Sequence, residues 1–260
     1  MIDRVLLIDA DMLVFSVAIV EQQEIEWQPD QWSYSCDLNV CKQRVDAKIA
    51  NWKERLKADK VVLCFSDPDH NFRKEVLPSY KSNRKGTKKP MGYLGLVGYC
   101  METYPSKRWS GLEGDDVLGI LHTTKKKGRQ SIVLSGDKDL RTVPGLHVGM
   151  ADPDLAIEKV TITQANLMWM SQVLTGDAVD GYKGCPSVGP VGAAKALAGC
   201  RSLAAMWAKV VETYDAKGLT EKDALVQARV ARILRKGDIF MASKRVKLWK
   251  PARRRSAVKA

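Results

Sequence analysis

This chain is short of the residues that usually build zinc sites and nucleophilic triads. It has three His in 260 residues, and its six Cys (36, 41, 64, 100, 185 and 200) form no CxxC pair. A Cys/His zinc site is therefore not expected. Scattered thiols fit a reduced, cytosolic protein, and Cys64 sits inside an apolar run where it serves packing. His70, His122 and His147 lie apart from any Ser or Cys motif, so no Ser–His or Cys–His arrangement competes for the chemistry. No apolar run reaches the roughly eighteen residues of a membrane span. Met1 to Asp9 already reads as a strand, which leaves no signal peptide and places the protein in the cytoplasm.

Positive charge is abundant. Lys and Arg number 42 against 30 Asp and Glu, for a net charge of +12. A balance this basic favours a polyanionic partner, above all nucleic acid. The length suits one large α/β domain or a main domain with a small companion.

Three apolar runs, Val5–Ile8, Val61–Phe65 and Ser131–Leu134, lack alternation and read as strands buried on both faces of a parallel sheet. Each runs into aspartate at its C-terminal end: Asp9, Asp67, then Asp137 and Asp139. Ligand crevices of open α/β sheets lie beyond those ends. Between the strands, Val45, Ile49, Trp52 and Leu56 mark a helical stripe over 40–56. A helix over 117–127 stops at Gly128 with Lys125, Lys126 and Lys127 in its last turn. Helical patterns return at 163–175, 190–199, 202–213 and 221–236. The end, PARRRSAVKA, is basic and expected to be disordered.

Acids gather where the chain is otherwise basic. LEGDD supplies Glu113, Asp115 and Asp116, and GDAVDG supplies Asp177 and Asp180. The latter two share a face if that segment is helical. A helix starting near Gly114 lets Glu113 reach in from the approach and keeps Asp115 pointed inward. With Asp9, Asp67, Asp137 and Asp139 the set numbers nine. So many carboxylates cannot ionise side by side unless cations neutralise them. Hard oxygen donors without His or Cys suit Mg²⁺ or Mn²⁺. Two such ions would clamp the attacking and leaving oxygens of a phosphodiester.

From Arg73 to Lys89 the chain carries seven basic residues and one acid, punctuated by Pro78 and Gly86. Following the strand that ends at Asp67, this loop rises over the crevice. Arg73, Lys81, Arg84 and Lys85 offer phosphate contacts, and Tyr80 a stacking surface for a base. Further on, GCPSVGPVGAAKAL (184–197) is a glycine turn between helices. Backbone N–H groups near Gly184, Gly189 and Gly192 suit phosphate binding without reading sequence.

LLIDAD, CFSD, YKSNR, LEGDD, SGDKD, GDAVDG and GCPSVGPVG stand in the order found in the flap-endonuclease and 5′-exonuclease superfamily. The chain most resembles the 5′→3′ exonucleases of short-tailed phages, over nearly its whole length. The resemblance implies a central mostly parallel sheet, a helical arch over the active site and a helix–three-turn–helix element holding duplex DNA. It implies a nuclease core over 1–160 with the arch at about 70–95, a DNA-binding helical region over 161–250 and a tail over 251–260. Asp67, Glu113, Asp115 and Asp116 would hold one ion, and Asp137, Asp139, Asp177 and Asp180 the other, with Asp9 as the first-strand carboxylate. Lys81 and Arg84 match arch residues that engage the scissile phosphate. The glycine hairpin would bind phosphates and K⁺. Here Ser187 replaces a usual Gly and Val191 a usual Lys, so Lys195, one turn later, is the candidate phosphate contact. The implied activity is hydrolysis from 5′ ends, flaps or nicks of duplex DNA, and of RNA in RNA–DNA hybrids, by a monomer in the host cytoplasm. LLIDADMLV also resembles the DxD of haloacid-dehalogenase phosphatases, with Asp9 as nucleophile and Asp11 as acid/base. A catalytically silent DNA-structure binder is a third reading.

Overall fold

A computed structural model describes residues 2–84 and 86–252. Lys85 and the tail beyond residue 252, expected to be disordered, lie outside the described residues. At the centre is a six-stranded sheet whose strands lie in the spatial order 106–108, 60–65, 3–9, 129–135, 145–149 and 158–160, parallel except where the last runs antiparallel to its neighbour. The three apolar runs are its middle: β1 (Asp3–Asp9), β4 (Lys60–Phe65) and β6 (Arg129–Ser135). Leu6 and Ile8 pack on one face with α1 (Ala10–Glu21), α2 (Leu38–Arg55) and α4 (Tyr93–Thr103); Val5 and Leu7 pack on the other with α5 (Gly114–Thr123). Burial on both faces explains why these strands are apolar throughout rather than alternating.

Between α1 and α2 a two-stranded hairpin, β2 (Gln23–Gln28) and β3 (Gln31–Ser35), stands clear of the sheet with Trp27, Trp32 and Tyr34 exposed. The remaining strands are short: β5 (Ser106–Arg108), β7 (Gly145–Gly149) and β8 (Glu158–Val160). Beyond β8 come α6 (Ile162–Thr175), α7 (Pro190–Leu197), α8 (Leu203–Asp215) and α9 (Glu221–Val230), which share a second core around Trp169, Met206 and Tyr214.

Two helices are shorter than their sequence patterns. α5 ends at Thr123, so Lys125–Lys127 lie past it, outside any helical turn. Thr123 and Thr124 close the helix by donating their hydroxyls to the carbonyls of Gly119 and Ile120. α9 ends at Val230, not near 236. There the chain straightens because the carbonyls of Val230 and Arg232 accept from the Arg73 guanidinium, and Leu234 N–H donates to Asp116. Gly119 makes this passage possible: a Cβ there would lie 2.4 Å from the Leu234 carbonyl oxygen.

Candidate active site

The C-terminal edge of the sheet gathers acids from four places. Asp9 ends β1 and caps α1, accepting from Met12 N–H (3.1 Å) and from the Ser135 hydroxyl of β6 (2.7 Å). Burial pushes its carboxyl up to about 6, with Asp11 and Asp137 adding to the shift against those two hydrogen bonds. Asp137 starts a 3-10 turn and accepts from Asp139 N–H at 2.7 Å. Asp139 is likewise pushed up to about 6, by burial and then by Asp137, Asp177 and Asp180.

α5 begins at Gly114 with Glu113 as its cap, the start that keeps Asp115 aimed inward. Gly114 N–H donates to the Ser66 hydroxyl at the end of β4, which pins the helix entry to the sheet edge. Burial, then Asp9 and Asp137, raise the Asp115 carboxyl well above its ordinary range. Asp9, Asp115, Asp137 and Asp139, with Asp177 and Asp180 beside Asp139, thus feel one another as a cluster.

Two expected members stand apart. Asp116 is fully buried, taking both guanidinium nitrogens of Arg73 (2.6 and 2.8 Å) and the N–H groups of Glu113 and Leu234. Asp67 accepts from the N–H groups of Gly111 (2.7 Å) and Asp69 (3.0 Å), and these backbone donors hold its carboxyl below the usual range. The expected DNA contact Arg73 is only 2 % exposed and pairs with Asp116 and Glu113, so it braces the core and offers no phosphate contact. Tyr80, also 2 % exposed, is unavailable for stacking; its hydroxyl, 2.9 Å from a carboxylate oxygen of both Glu113 and Asp180, shares its one proton between them.

The basic loop is folded down onto the acids. It contains α3 (Arg73–Val76) and a 3-10 turn at Ser82–Arg84. Lys81 donates to Glu113 through its Nζ and to the Asp180 carbonyl through its backbone N–H. Arg84 reaches Asp180 at 2.7 Å, and Asn83 donates to the carbonyls of Ala178 and Val179. Burial opposes ionisation of Glu113, but Arg73 and Lys81 hold its carboxyl down to about 2. Asp177 and Asp180 share a turn closed by the Asp177–Tyr182 bridge, not a helical face. Asp177 accepts there from the N–H groups of Val179 and Asp180.

The glycine turn divides into two. Gly184 (φ +66°) packs backbone to backbone with Gly176, where a Cβ would lie 2.2 Å from a main-chain nitrogen; its N–H donates to Gln227. That corrects its reading as a DNA contact. Gly189 caps α7, open space surrounds it, and Gly192, Lys195 and Val191 are exposed on that helix. Ser187 adopts φ +60°, a left-handed conformation that suits a Gly.

Asp11 is a site-edge residue that the sequence offered only as an alternative acid/base. It accepts from Ser66 N–H (2.8 Å) and the Tyr93 hydroxyl (3.1 Å), tying β4 and α4 to the start of α1. The Asp-x-Asp spacing was its only signal.

No three His, Cys, Asp or Glu groups among the described residues converge closely enough to enclose an ion. The donor chemistry nevertheless fits hard cations. A buried Asp139 oxygen has no hydrogen-bond partner among the described residues, and burial first, with repulsion from neighbouring acids adding to it, raises the proton affinity of Asp9, Asp115 and Asp139. Carboxylates that repel in this way relax by binding positive charge.

A family model described as 5′-3′ exonuclease, N-terminal resolvase-like domain, matches residues 4–169. The chain is 29% identical to the exodeoxyribonuclease of Enterobacteria phage T3, covering 95% of this chain and 93% of that protein. It is 28% identical to the exonuclease of Escherichia phage T7 over the same shares. Its fold is similar to that of a bacteriophage T5 flap endonuclease crystallised as a pseudo-enzyme–product complex with DNA and metal ions. The TM-score is 0.64 at 13% identity, over 88% of this chain and 89% of that one.

Proposed function

The chain belongs to the family of 5′-3′ exonucleases with an N-terminal resolvase-like domain, and on that premise we propose how its residues divide the work of a 5′-3′ exonuclease of the flap-endonuclease type. The phosphatase expectation falls with that membership, and Asp11 is in any case engaged by Ser66 and Tyr93. The substrate is duplex DNA entered at a 5′ end, flap or nick, with the RNA strand of an RNA–DNA hybrid as a second one.

Asp9, Asp115, Asp137 and Asp139 form the centre of the ion-holding set, with Glu113, Asp177 and Asp180 at its rim. When bound, two Mg²⁺ or Mn²⁺ ions supply Lewis acidity at the scissile phosphate. Asp67 and Asp116 belong to the support: one fixes the Gly111 turn and the other anchors Arg73. The observation that carries the reading is the cluster of Asp9, Asp115 and Asp139 at the sheet edge: one buried Asp139 oxygen has no partner among the described residues, and burial, with Asp137 adding to it, raises the proton affinity of all three.

Lys81 and Arg84 are the exchangeable cations. Each pairs with a site carboxylate, Glu113 or Asp180, and a substrate phosphate competes for the same charge. Tyr80 stays in place and fixes the height of the loop above the acids. Duplex DNA rests on the exposed start of α7, where Gly189, Gly192 and Lys195 meet the phosphate backbone and K⁺ joins the turn. The enzyme acts as a monomer.

Product analysis on 5′- and 3′-labelled nicked, flapped and blunt duplexes with Mg²⁺ tests this function. Release of short products from the 5′ side alone, abolished by chelator, is the expected outcome. A 5′-labelled duplex that stays intact with Mg²⁺ present would sink it.

A further inference from the structure

We propose that Cys36 and Cys41 are a thiol pair that closes to a reversible disulfide on meeting a low-molecular-weight disulfide such as oxidised glutathione. Both cysteines are free, and their sulfurs lie 3.2 Å apart. A disulfide bond is about 2.05 Å long, so closure takes roughly 1 Å of further approach, within reach of small side-chain rotations.

Local structure brings the sulfurs together. Cys36 follows the last residue of β3, and Asp37 caps α2 by accepting from the N–H groups of Asn39 and Val40. Cys41 N–H donates to the Asp37 carbonyl, which curls the first turn of α2 back toward Cys36. Access differs between the two: Cys41 is fully buried and Cys36 only half-buried. Cys36 is therefore the attacking sulfur and Cys41 the resolving one. Burial, with Cys36 alongside, pushes the Cys41 thiol up to about 12, which keeps it protonated until the second step.

In the first step the Cys36 thiolate attacks one glutathione sulfur, and the other glutathione leaves as a thiolate. In the second, the Cys41 sulfur attacks the Cys36 sulfur, its proton passes to solvent and the second glutathione leaves. Two protein thiols and one glutathione disulfide become one protein disulfide and two glutathione thiols. Two electrons pass from protein to reagent.

The pair sits at a seam. Gly92, at the head of α4, approaches so closely that a Cβ there would lie 2.9 Å from the Cys36 sulfur. Met91 N–H donates to Gln22, which joins α1 to β2. The bond would lock the root of the aromatic hairpin to α2, beside the point where the basic loop rejoins the core. Among the described residues the other four thiols have no sulfur partner of this kind.

The sequence supplies its own readout. It has no Lys or Arg between Arg4 and Lys42, so one tryptic fragment, residues 5–42, carries both sulfurs and no other cysteine. The folded protein is treated with oxidised glutathione, denatured, alkylated with iodoacetamide and digested. The expected fragment has lost two hydrogen atoms and takes up no alkyl group, and dithiothreitol restores two alkylation sites. In Cys41→Ser the same treatment leaves glutathione on Cys36. A wild-type fragment that still takes two alkyl groups, or that keeps a glutathione adduct, overturns the pair; this measurement stands whether or not the variant folds.

Discussion

Asp115 and Asp116 are chain neighbours with the same side chain and opposite situations. Asp115 faces Asp9 and Asp137 across the crevice, whereas Asp116 turns into the core and holds Arg73 in a two-nitrogen grip. Asp115→Asn and Asp139→Asn should each slow cleavage by about 10²-fold or more through loss of charge where the reaction needs it. Duplex binding in a gel-shift assay should persist, and melting in chelator should be no lower than wild type, since each change relieves repulsion. Asp116→Asn should instead lower stability by about 3–5 kcal/mol, because it leaves the buried Arg73 cation short of its partner. Urea unfolding checks this; a variant that unfolds like wild type yet fails to cleave would return Asp116 to the chemistry. Lys81→Ala should slow single-turnover cleavage by about 10²-fold with affinity changed only a few-fold, since Lys81 is one cation among many but sits on Glu113.

Elements decide which side of a motif faces outward. The glycine hairpin joins two tasks: Gly184 lets two backbone segments touch, and Gly189 with α7 presents N–H groups and Lys195 to solvent. Lys195→Ala should weaken duplex binding and reduce the slope of log affinity against log salt by about one phosphate contact. Val191→Lys, on a residue 85% exposed, should steepen that slope by a similar step. Binding titrations across a salt series measure both, and a Lys195→Ala slope equal to wild type would move the DNA track off α7. The two shortened helices follow the same logic. α5 stops where Thr hydroxyls serve its last carbonyls, and α9 stops where its carbonyl is recruited by Arg73.

Across the whole molecule, stability has an acid-sensitive point remote from the site. His122 and His147 pack edge to face, 5.3 Å between centroids, and one ring nitrogen of His122 is buried without a partner among the described residues. Burial, then His147, hold His122 down to about 3. Its native value lies below the unfolded one, so the fold favours the neutral ring. That contribution is complete above about pH 6.5 and is lost as pH falls toward the native value. The loss should run at roughly 1 kcal/mol per pH unit below about pH 6.5, after allowance for partial exposure. Urea unfolding of wild type against His122→Gln should show a shallower slope in the variant; equal slopes would locate the acid sensitivity elsewhere.

Much of the fold was legible in the chain. Val5–Ile8, Val61–Phe65 and Ser131–Leu134 had to be strands buried on both faces, because nothing in them could face water, and aspartates at their ends placed the crevice. The start of α5 at Gly114 was legible as well. What one dimension could not hold was direction. Arg73 and Tyr80 read as DNA contacts because they stand in a basic loop, but long-range partners, Asp116 and Glu113 with Asp180, turn both inward. The resemblance placed Asp67 and Asp116 in the ligand set, and only the fold shows that backbone donors hold one and a buried guanidinium the other. By itself the sequence determined the inventory: nine acids, a basic loop and a glycine-rich turn in a basic chain. The tertiary structure alone decided which acids face one another, because burial and partners dozens of residues away settle whether a carboxylate supports the core or stays short of positive charge.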